Sequence, residues 1–400
     1  MDLLGWVIFL VALLFSVMWH ETGHFVMAKR FGMKVTRYFV GFGPTLWSIQ
    51  RGETEYGIKA LPFGGFVKIV GMTSLDEVDD PADEPRSFRS HPAWQRIIVL
   101  CAGSFMHCVL AFVLFFVLLL GIGIETASNA PQFGAIIPCV ASNVTALDNG
   151  VCAASNPPSP AVLAGVQPGE KVLAVDGTPV STWTQASNAL RRAGPGSRVT
   201  ITVVRDGQTI TLHATLAAVK GRPGGFLGID GPVTYIPVSP VRAVQDAGSA
   251  FGEVLVGSAQ EVTALPGAVH DLFNKKKRAD TAAGQVTSVV GLANDTGQEV
   301  AANVGWQAKV SFVLLLTAEL NIFFGAFNLL PLLPMDGGHV AAIIWERIRA
   351  WFARRRGRPD PGLVDMTKLL PVSFSIFAIL ILFSVALIAA DIVNPVSIAG

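Results

Sequence analysis

The sequence H-E-T-G-H at residues 20–24 places two imidazoles and one carboxylate within about one helical turn. Residues four apart lie on the same face of an α-helix, so His20 and His24 can bind one metal ion together. Glu21 follows the first histidine and is placed to take a proton from a water molecule on that metal. This spacing predicts metal-assisted hydrolysis.

The motif lies inside a long apolar segment, residues 3–28. In a soluble protein, a chance match of this kind usually lies on a solvated helix face. In lipid, each ionisable side chain costs about 2.5–3.5 kcal/mol even on the most lenient insertion scale. Three such side chains within one turn therefore indicate a function, and metal binding is the function that their types predict.

A third ligand is needed, because a catalytic zinc ion usually has three protein ligands and one water. Residues 328–338, N-L-L-P-L-L-P-M-D-G-G, interrupt a later apolar segment. Its prolines should unwind the helix, and irregular backbone at membrane depth is tolerated where protein shields it or where it lines a cavity. We predict that Asp336 is the third ligand. Helix capping by Asp336 is the alternative, and both roles can hold together. His339 is expected to be a helix or supporting residue rather than a ligand.

The composition indicates that membrane helices position these residues. The chain has 400 residues, of which 51% are hydrophobic and only 15% charged. Its mean hydropathy is +0.50, whereas soluble domains carry about 25% charged residues. Four segments are long enough to cross about 30 Å of hydrocarbon, at residues 3–28, 97–124, 308–330 and 370–392. The first lacks a basic leading region, so we expect a retained span rather than a cleaved signal peptide.

Basic residues beside the spans predict the orientation, because loops rich in Lys and Arg remain in the cytoplasm. They are Lys29, Arg30, Lys34 and Arg37 after the first span and Arg347, Arg349, Arg354, Arg355, Arg356 and Arg358 after the third. Both termini and residues 125–307 should then be extracytoplasmic. The basic cluster at residues 275–278 departs from this pattern, but long translocated regions largely escape the rule.

Two regions between the spans have their own patterns. Residues 31–71 alternate between short β patterns and glycine turns, which predicts a β-hairpin or small sheet at the inner membrane face. Residues 160–216 read as strand, helix and two strands around a hairpin at Asp206-Gly207, an order that resembles a PDZ domain. Residues 241–270 are expected to form a helix, either on the membrane surface or packed on the PDZ-like unit.

The predicted class is an α-helical membrane protein with four transmembrane helices, a membrane-associated β-hairpin or sheet on the cytoplasmic side and one extracytoplasmic PDZ-like α+β domain. The predicted order is span 1 with the histidine motif (1–30), the β region and loop (31–96), span 2 (97–124), an external region with the PDZ-like unit (125–237), an external helical region (238–307), a broken span 3 (308–350), an inner loop (351–369) and span 4 (370–393).

Cysteine placement agrees with this topology. Cys139 and Cys152 lie in the predicted external region, where an oxidising compartment permits a disulfide. We predict that they are bonded, with two free thiols as the alternative. Cys101 and Cys108 share one face of the second span and are expected to be packing residues.

Taken together, the histidine motif, the G-F-G-P turn at residues 41–44, the PDZ-like insert and the N-x-x-P…D-G segment resemble bacterial site-2 proteases. The similarity covers nearly the whole chain and is greatest to the actinobacterial branch. It implies that His20, His24 and Asp336 bind Zn²⁺ and that Glu21 is the catalytic base. It also implies that Asn328 binds the substrate or its oxyanion.

The sequence departs from the family pattern at two positions. The second span reads A-G-S-F-M-H at residues 102–107, where relatives usually have A-G-P-x-x-N. His107 either replaces the asparagine as a polar partner near the site or marks a different adaptation of this span. The second proline of the later segment, Pro334, also falls one place later than in many relatives.

The resemblance implies a multi-pass protein of the bacterial plasma membrane whose substrates are transmembrane proteins. Anti-sigma factors and remnant signal peptides are the expected classes, after an upstream protease has trimmed their external domain. The PDZ-like unit is then expected to exclude untrimmed substrates. The formal net charge of +1 gives no indication of nucleic-acid binding.

Two other functions remain open on the sequence. One is a different membrane zinc protease with a glutamate as third ligand, for which Glu319 and Glu346 are the available acids near the third span. The other is a membrane scaffold that binds protein tails through its PDZ-like unit and has no protease activity. Loss of the family asparagine at position 107 is the one feature that favours the scaffold.

Overall fold

The computed structural model describes residues 3–72, 78, 80–148, 151–153, 156–271, 288–301, 304–364, 370–393 and 396–398. Within these ranges the helices are α1 (Leu3–Arg30), α2 (Ala93–Gly121), α3 (Val144–Asp148), α4 (Pro160–Leu163), α5 (Trp183–Ala193), α6 (Pro240–Asp271), α7 (Val289–Ala301), α8 (Trp306–Asn328), α9 (Asp336–Arg355) and α10 (Leu370–Val393). The strands are β1 (Val35–Arg51), β2 (Thr54–Ile69), β3 (Ile124–Ala127), β4 (Val151–Ala153), β5 (Lys171–Val175), β6 (Thr178–Pro179), β7 (Arg198–Arg205), β8 (Gln208–Thr215), β9 (Val233–Ile236) and β10 (Val396–Ile398).

Four of the described helices are long and apolar enough to cross a membrane, namely α1, α2, α8 and α10. The mostly helical architecture, with these four helices and some antiparallel sheets, agrees with the predicted α-helical membrane protein. Helix α2 lies at the centre of the bundle, because it packs against both α1 and α8. Trp19 on α1 donates its indole N–H to the carbonyl oxygen of Met106 on α2 at 2.9 Å, which joins the two helices near the histidine motif.

Strands β1 and β2 are long and bent, and they pair with each other along more than one segment. The two strands therefore form a sheet that is more than two strands wide in places. Tyr38 lies opposite Val67 on one side and opposite Tyr56 on the other. Residues 65–69 therefore form one edge of the sheet. Met33, at the end of the connection from α1, is fully buried where the sheet meets α1 and α2. Elsewhere on the sheet, large apolar side chains are exposed, including Leu46, Trp47 and Leu61.

The insert between α2 and α6 contains a four-stranded sheet in the order β6-β5-β7-β8, and α5 packs on it. Its core includes Phe133 and Leu227, which lie outside residues 160–216. The chain enters and leaves the insert through the antiparallel pair β3–β9, and Ser128 N–H donates to Pro232 O at 2.8 Å just beyond it. The packed unit is therefore larger than the segment with PDZ-like sequence.

The insert is also joined to the end of the chain. A disulfide links Cys139 and Cys152, and β4, which contains Cys152, pairs with the C-terminal strand β10. The described part of the C-terminus therefore lies on the same side of the helical bundle as the insert.

Helix α6 packs through Ala247 and Phe251 against α2 and α8. The sequence left two positions open for this helix, on the membrane surface or on the PDZ-like unit. The structure shows its first half against two of the apolar helices instead, because small residues there permit close approach. The basic cluster at residues 275–278 lies outside the described residues.

A buried ion pair joins α9 to α2. Arg96 Nη2 lies 2.7 Å from Glu346 Oε2, and the two side chains are only 5% and 7% exposed. The other carboxylate oxygen of Glu346 accepts a hydrogen bond from the Val364 N–H at 3.0 Å. Since α9 begins at Asp336, this pair fixes the helix that carries the predicted third ligand against the helix that faces the two histidines.

We expect Glu346→Gln to destabilise the protein by about 3–5 kcal/mol, because it leaves the Arg96 guanidinium buried without a counter-charge. The matched control is Asp246→Asn, which breaks the exposed pair with Arg242 on α6 and should cost less than about 0.5 kcal/mol. Unfolding of both purified variants in detergent measures the difference. Equal stability of the two variants would contradict this role of the buried pair.

Candidate active site

Helix α1 turns both histidines of the motif towards α2. His20 and His24 are 7% and 5% exposed. The Nδ1 atom of His24 lies 2.8 Å from the carbonyl oxygen of Val99 on α2. Because a carbonyl oxygen only accepts, Nδ1 carries the hydrogen and Nε2 keeps its lone pair. This arrangement is typical of a metal-binding histidine.

Three ligand atoms converge between α1 and the start of α9. The Nε2 atoms of His20 and His24 lie 2.9 Å apart, and Asp336 Oδ2 lies 3.2 Å from the first and 3.4 Å from the second. A tetrahedral zinc ion with ligand bonds of 2.0–2.2 Å places its ligand atoms about 3.3 Å apart. The observed spacings therefore fit one zinc ion. Asp336 Oδ2 is also buried without a hydrogen bond among the described residues, as expected of a metal ligand.

The break between α8 and α9 brings Asp336 to the histidines. Residues 329–335 form a tight turn, and α9 begins at Asp336. A Cβ atom at Gly337 would lie 2.2 Å from the carbonyl oxygen of Leu329, so only glycine permits this turn to fold back onto the helix start. The predicted interruption of the third apolar segment is thus the element that positions the carboxylate.

Helix α2 presents bare backbone to the site at Gly103. A Cβ atom there would lie 2.6 Å from the Nε2 atoms of both His20 and His24. The missing side chain leaves room in front of the ligand atoms, so these residues fit a bound ion.

Glu21 lies beside this group of ligand atoms and outside it. Among the described residues, the group of three that can hold a metal ion is His20, His24 and Asp336. The backbone N–H of Val67 on β2 faces the Glu21 carboxylate. The neighbouring Thr22 hydroxyl lies 2.8 Å from the hydroxyl of Tyr38 on β1. The sheet is therefore attached to α1 at the level of the motif.

The remaining candidate residues occupy different places. Asn328 is the half-buried last residue of α8, immediately before the turn that leads to Asp336. His339 lies in the first turn of α9 and is not in the three-residue group. Of the two alternative acids, Glu346 is paired with Arg96 and Glu319 is exposed on α8.

Sequence reasoning missed Asn321, which lies on α8 and is completely buried. Its Oδ1 atom lies 2.7 Å from Nδ1 of His107 on α2, and its Nδ2 atom donates to the Ser16 hydroxyl on α1 at 2.8 Å. A polar amide inside an apolar span was the available signal, because such residues rarely face lipid.

Comparison with known proteins gives matches over nearly the whole chain. The model of peptidase family M50 matches residues 8–359, a range that includes the histidine motif and Asp336. The chain is 37% identical to the zinc metalloprotease Rip1 of Mycobacterium tuberculosis, with 98% of each chain covered. It is 35% identical to Rip1 of Mycolicibacterium smegmatis, with 99% of this chain and 98% of the relative covered. It is 31% identical to the putative zinc metalloprotease all3971 of Nostoc, with 86% and 85% covered.

These similarities extend over nearly the whole chain and confirm the predicted family, its actinobacterial branch and the zinc cofactor. The apolar helices agree with a multi-pass membrane protein, and the family that the chain matches acts on substrates embedded in the lipid bilayer. The chain belongs to peptidase family M50, the site-2 proteases, and is an intramembrane zinc metalloprotease.

Proposed function

We propose that this protease hydrolyses peptide bonds in the transmembrane segments of substrates that another protease has already trimmed. His20, His24 and Asp336 hold the zinc ion, Glu21 is the base and Asn328 binds the unwound substrate segment. The observation that carries this proposal is the convergence of three ligand atoms, spaced 2.9–3.4 Å apart, on the apolar helix α1 and the break before α9. Cleavage of a trimmed transmembrane substrate in proteoliposomes tests it.

Each residue has a defined task in this reaction. When bound, zinc supplies Lewis acidity to the scissile carbonyl and acidifies a water molecule. The Glu21 carboxylate would take a proton from the water that adds to the scissile carbonyl and would give it to the amine that leaves when the C–N bond breaks, acting as a general base and then as a general acid. Asn328, at the last turn of α8, can hydrogen-bond to the substrate backbone once its helix has unwound.

We infer that the edge of the sheet at residues 65–69 binds the substrate as an added strand, since extended peptides often join exposed sheet edges. Among the described residues, this edge pairs within the sheet only with residues 35–40. On its other side, the Val67 backbone reaches Glu21. A substrate strand along this edge would therefore pass beside the proposed catalytic base.

We expect Val67→Pro to lower cleavage by about tenfold or more, because proline removes the backbone N–H that faces Glu21 and that an added strand would use in its place. Zinc content should stay unchanged. Val67→Ala is the matched control, since it shortens the side chain but keeps the N–H, and it should cleave at close to the wild-type rate. Wild-type activity of the proline variant would refute strand addition.

We propose that the termini and the insert face the extracytoplasmic side of a bacterial plasma membrane, with the β1–β2 sheet on the cytoplasmic side. The pairing of β4 with β10 supports a common side for the insert and the C-terminus. The disulfide between Cys139 and Cys152 suits an oxidising compartment. Leu46, Trp47 and Leu61 are exposed on the sheet, and contact with the membrane would cover them.

We propose that the insert is a PDZ-like gate. Its sheet, its helix α5 and its Asp206-Gly207 hairpin support this likeness. As a gate, it would exclude substrates that keep a large external domain until an upstream protease trims them. Anti-sigma factors and remnant signal peptides are the proposed substrate classes.

We expect removal of the gate to let the enzyme cleave untrimmed substrates at a rate close to that for trimmed ones. The β3–β9 pair suggests the deletion, because Ala127 and Val233 are already partners. Residues 128–232 can be replaced by an Asn-Gly turn, which suits a two-residue hairpin. Cleavage of a trimmed substrate at the wild-type rate is the control for an intact active site. Unchanged discrimination between the two substrates would exclude gating.

A further inference from the structure

A chain of hydrogen bonds crosses three apolar helices beside the zinc ligands. On α1, the Ser16 hydroxyl donates to the carbonyl oxygen of Ala12 at 2.9 Å. On α8, Asn321 Nδ2 donates to the Ser16 hydroxyl at 2.8 Å and to the carbonyl oxygen of Thr317 at 2.7 Å. Asn321 Oδ1 lies 2.7 Å from Nδ1 of His107 on α2. The chain ends at the imidazole of His107.

The direction of this chain is determined by its acceptors. The carbonyl oxygen of Thr317 can only accept, so the NH₂ group of Asn321 must face it and Oδ1 must face His107. Oδ1 can only accept as well, so Nδ1 of His107 carries the hydrogen. The neutral imidazole of His107 therefore has its lone pair on Nε2.

His107 lies directly against the proposed ligand His20. It is 2% exposed, and the centroids of the two rings are 4.8 Å apart with their planes tilted by 39°. His20 Nδ1 is buried and has no hydrogen-bond partner among the described residues. His24 differs, since its Nδ1 donates to Val99 O at 2.8 Å. Within the described structure, one of the two histidines is oriented by an acceptor and the other is not.

We propose that His107 is a positioning residue of the zinc site: its ring packs against that of His20, and with zinc bound its Nε2 lone pair becomes the acceptor for the Nδ1–H of His20, a bond that the described structure does not make. A metal-binding histidine almost always donates its second ring N–H to an acceptor, which orients the ring and raises its basicity. Asn321 holds His107 in the tautomer that this task needs. The inference rests on the proposed role of His20 as a zinc ligand.

This arrangement accounts for the unusual second-span motif. A histidine at position 107 needs a partner for Nδ1, and Asn321 supplies that partner from α8. Each of the two buried side chains would leave the other unsatisfied if it were removed. His107 and Asn321 therefore form one functional pair, in which we expect Asn321 to act on His20 through His107.

The test measures zinc affinity and metal-site geometry in the full-length protein in detergent, without using activity. Zinc affinity is obtained by competition with a chromogenic chelator, and geometry from the visible absorption of the cobalt(II)-substituted protein. We expect His107→Phe, which keeps a ring of similar size, to raise the zinc dissociation constant about 10–100-fold and to change the cobalt spectrum. Asn321→Leu should do the same to a smaller extent. The control Cys108→Ala, at the next position on α2, should stay within about twofold of the wild type.

The double variant distinguishes an effect of Asn321 that is transmitted through His107 from two independent packing defects. If Asn321 acts through His107, adding Asn321→Leu to His107→Phe should weaken zinc binding no further. Additive losses of zinc affinity would show that the two residues act independently and would overturn this part of the proposal. A normal zinc affinity and cobalt spectrum in His107→Phe would overturn the proposal, even if cleavage were lost. Should His107→Phe fail to fold, the zinc affinity and cobalt spectrum of Asn321→Leu test the proposal instead, and normal values of both would overturn it. His20→Ala identifies failure of the proposed function itself, because unchanged zinc affinity there would remove His20 from the ligand set.

Discussion

Glu21→Gln is expected to lower the cleavage rate of a trimmed transmembrane substrate by about 10²–10⁴-fold, the usual contribution of a general base. The amide cannot take a proton from water. It can still accept the hydrogen bond that the Val67 backbone gives to Glu21, so the site should keep its shape. Because Glu21 is outside the group of three ligand residues, zinc should stay bound. Single-turnover cleavage and metal analysis of the purified variant measure both effects.

The matched control for this variant is Glu55→Gln on β2, whose carboxylate forms a loose, partly exposed pair with Arg37 at 3.8 Å. It should cleave within about twofold of the wild-type rate, since exposed pairs contribute little. A Glu21→Gln variant that cleaves normally would show that another group is the base. Loss of zinc together with activity would make Glu21 a ligand instead.

Asp336→Ala is expected to weaken zinc binding by about 10²–10³-fold and to abolish cleavage at ordinary zinc concentrations. Structural zinc sites bind with about 10–16 kcal/mol over four ligands, so one ligand in four corresponds to about 2.5–4 kcal/mol, or about two to three factors of ten. His20 and His24 alone cannot complete a catalytic site that needs three protein ligands. Chelator competition measures the zinc affinity.

Glu319→Ala is the informative partner of that variant, because Glu319 is an alternative third ligand on the same broken segment. It lies exposed on α8 in this structure, so its removal should leave zinc affinity unchanged. The opposite pattern, with zinc kept in Asp336→Ala and lost in Glu319→Ala, would support a membrane zinc protease with a glutamate ligand.

The features that depend on short-range geometry could be predicted from the sequence. Two histidines four positions apart share a helix face in any α-helix, and their position in an apolar segment excludes a solvated surface. Asp336 could be named as a candidate ligand because prolines and glycines mark broken backbone in a span, and the structure places it beside both histidines. For both features, the local backbone geometry follows from residues that are close in sequence.

The features that depend on how distant segments pack could not be predicted. The bond between His107 and Asn321 joins positions 214 residues apart, and it depends on the rotation of α2 against α8, which apolar periodicity does not specify. The full extent of the insert was missed for the same reason, because Phe133 and Leu227 complete its core from outside the PDZ-like segment. Likewise, small residues on α6 did not reveal that it packs on α2 and α8.

The central claim is tested most directly by reversible removal of zinc from the wild-type protein in proteoliposomes that contain a trimmed transmembrane substrate. We predict that cleavage stops when a chelator removes zinc, that it returns when zinc is restored, and that the new termini lie within the transmembrane segment of the substrate. Cleavage that continues without zinc would contradict the proposed site. A zinc-loaded protein that binds the substrate but never cuts it, in any trimmed form, would indicate a membrane scaffold instead.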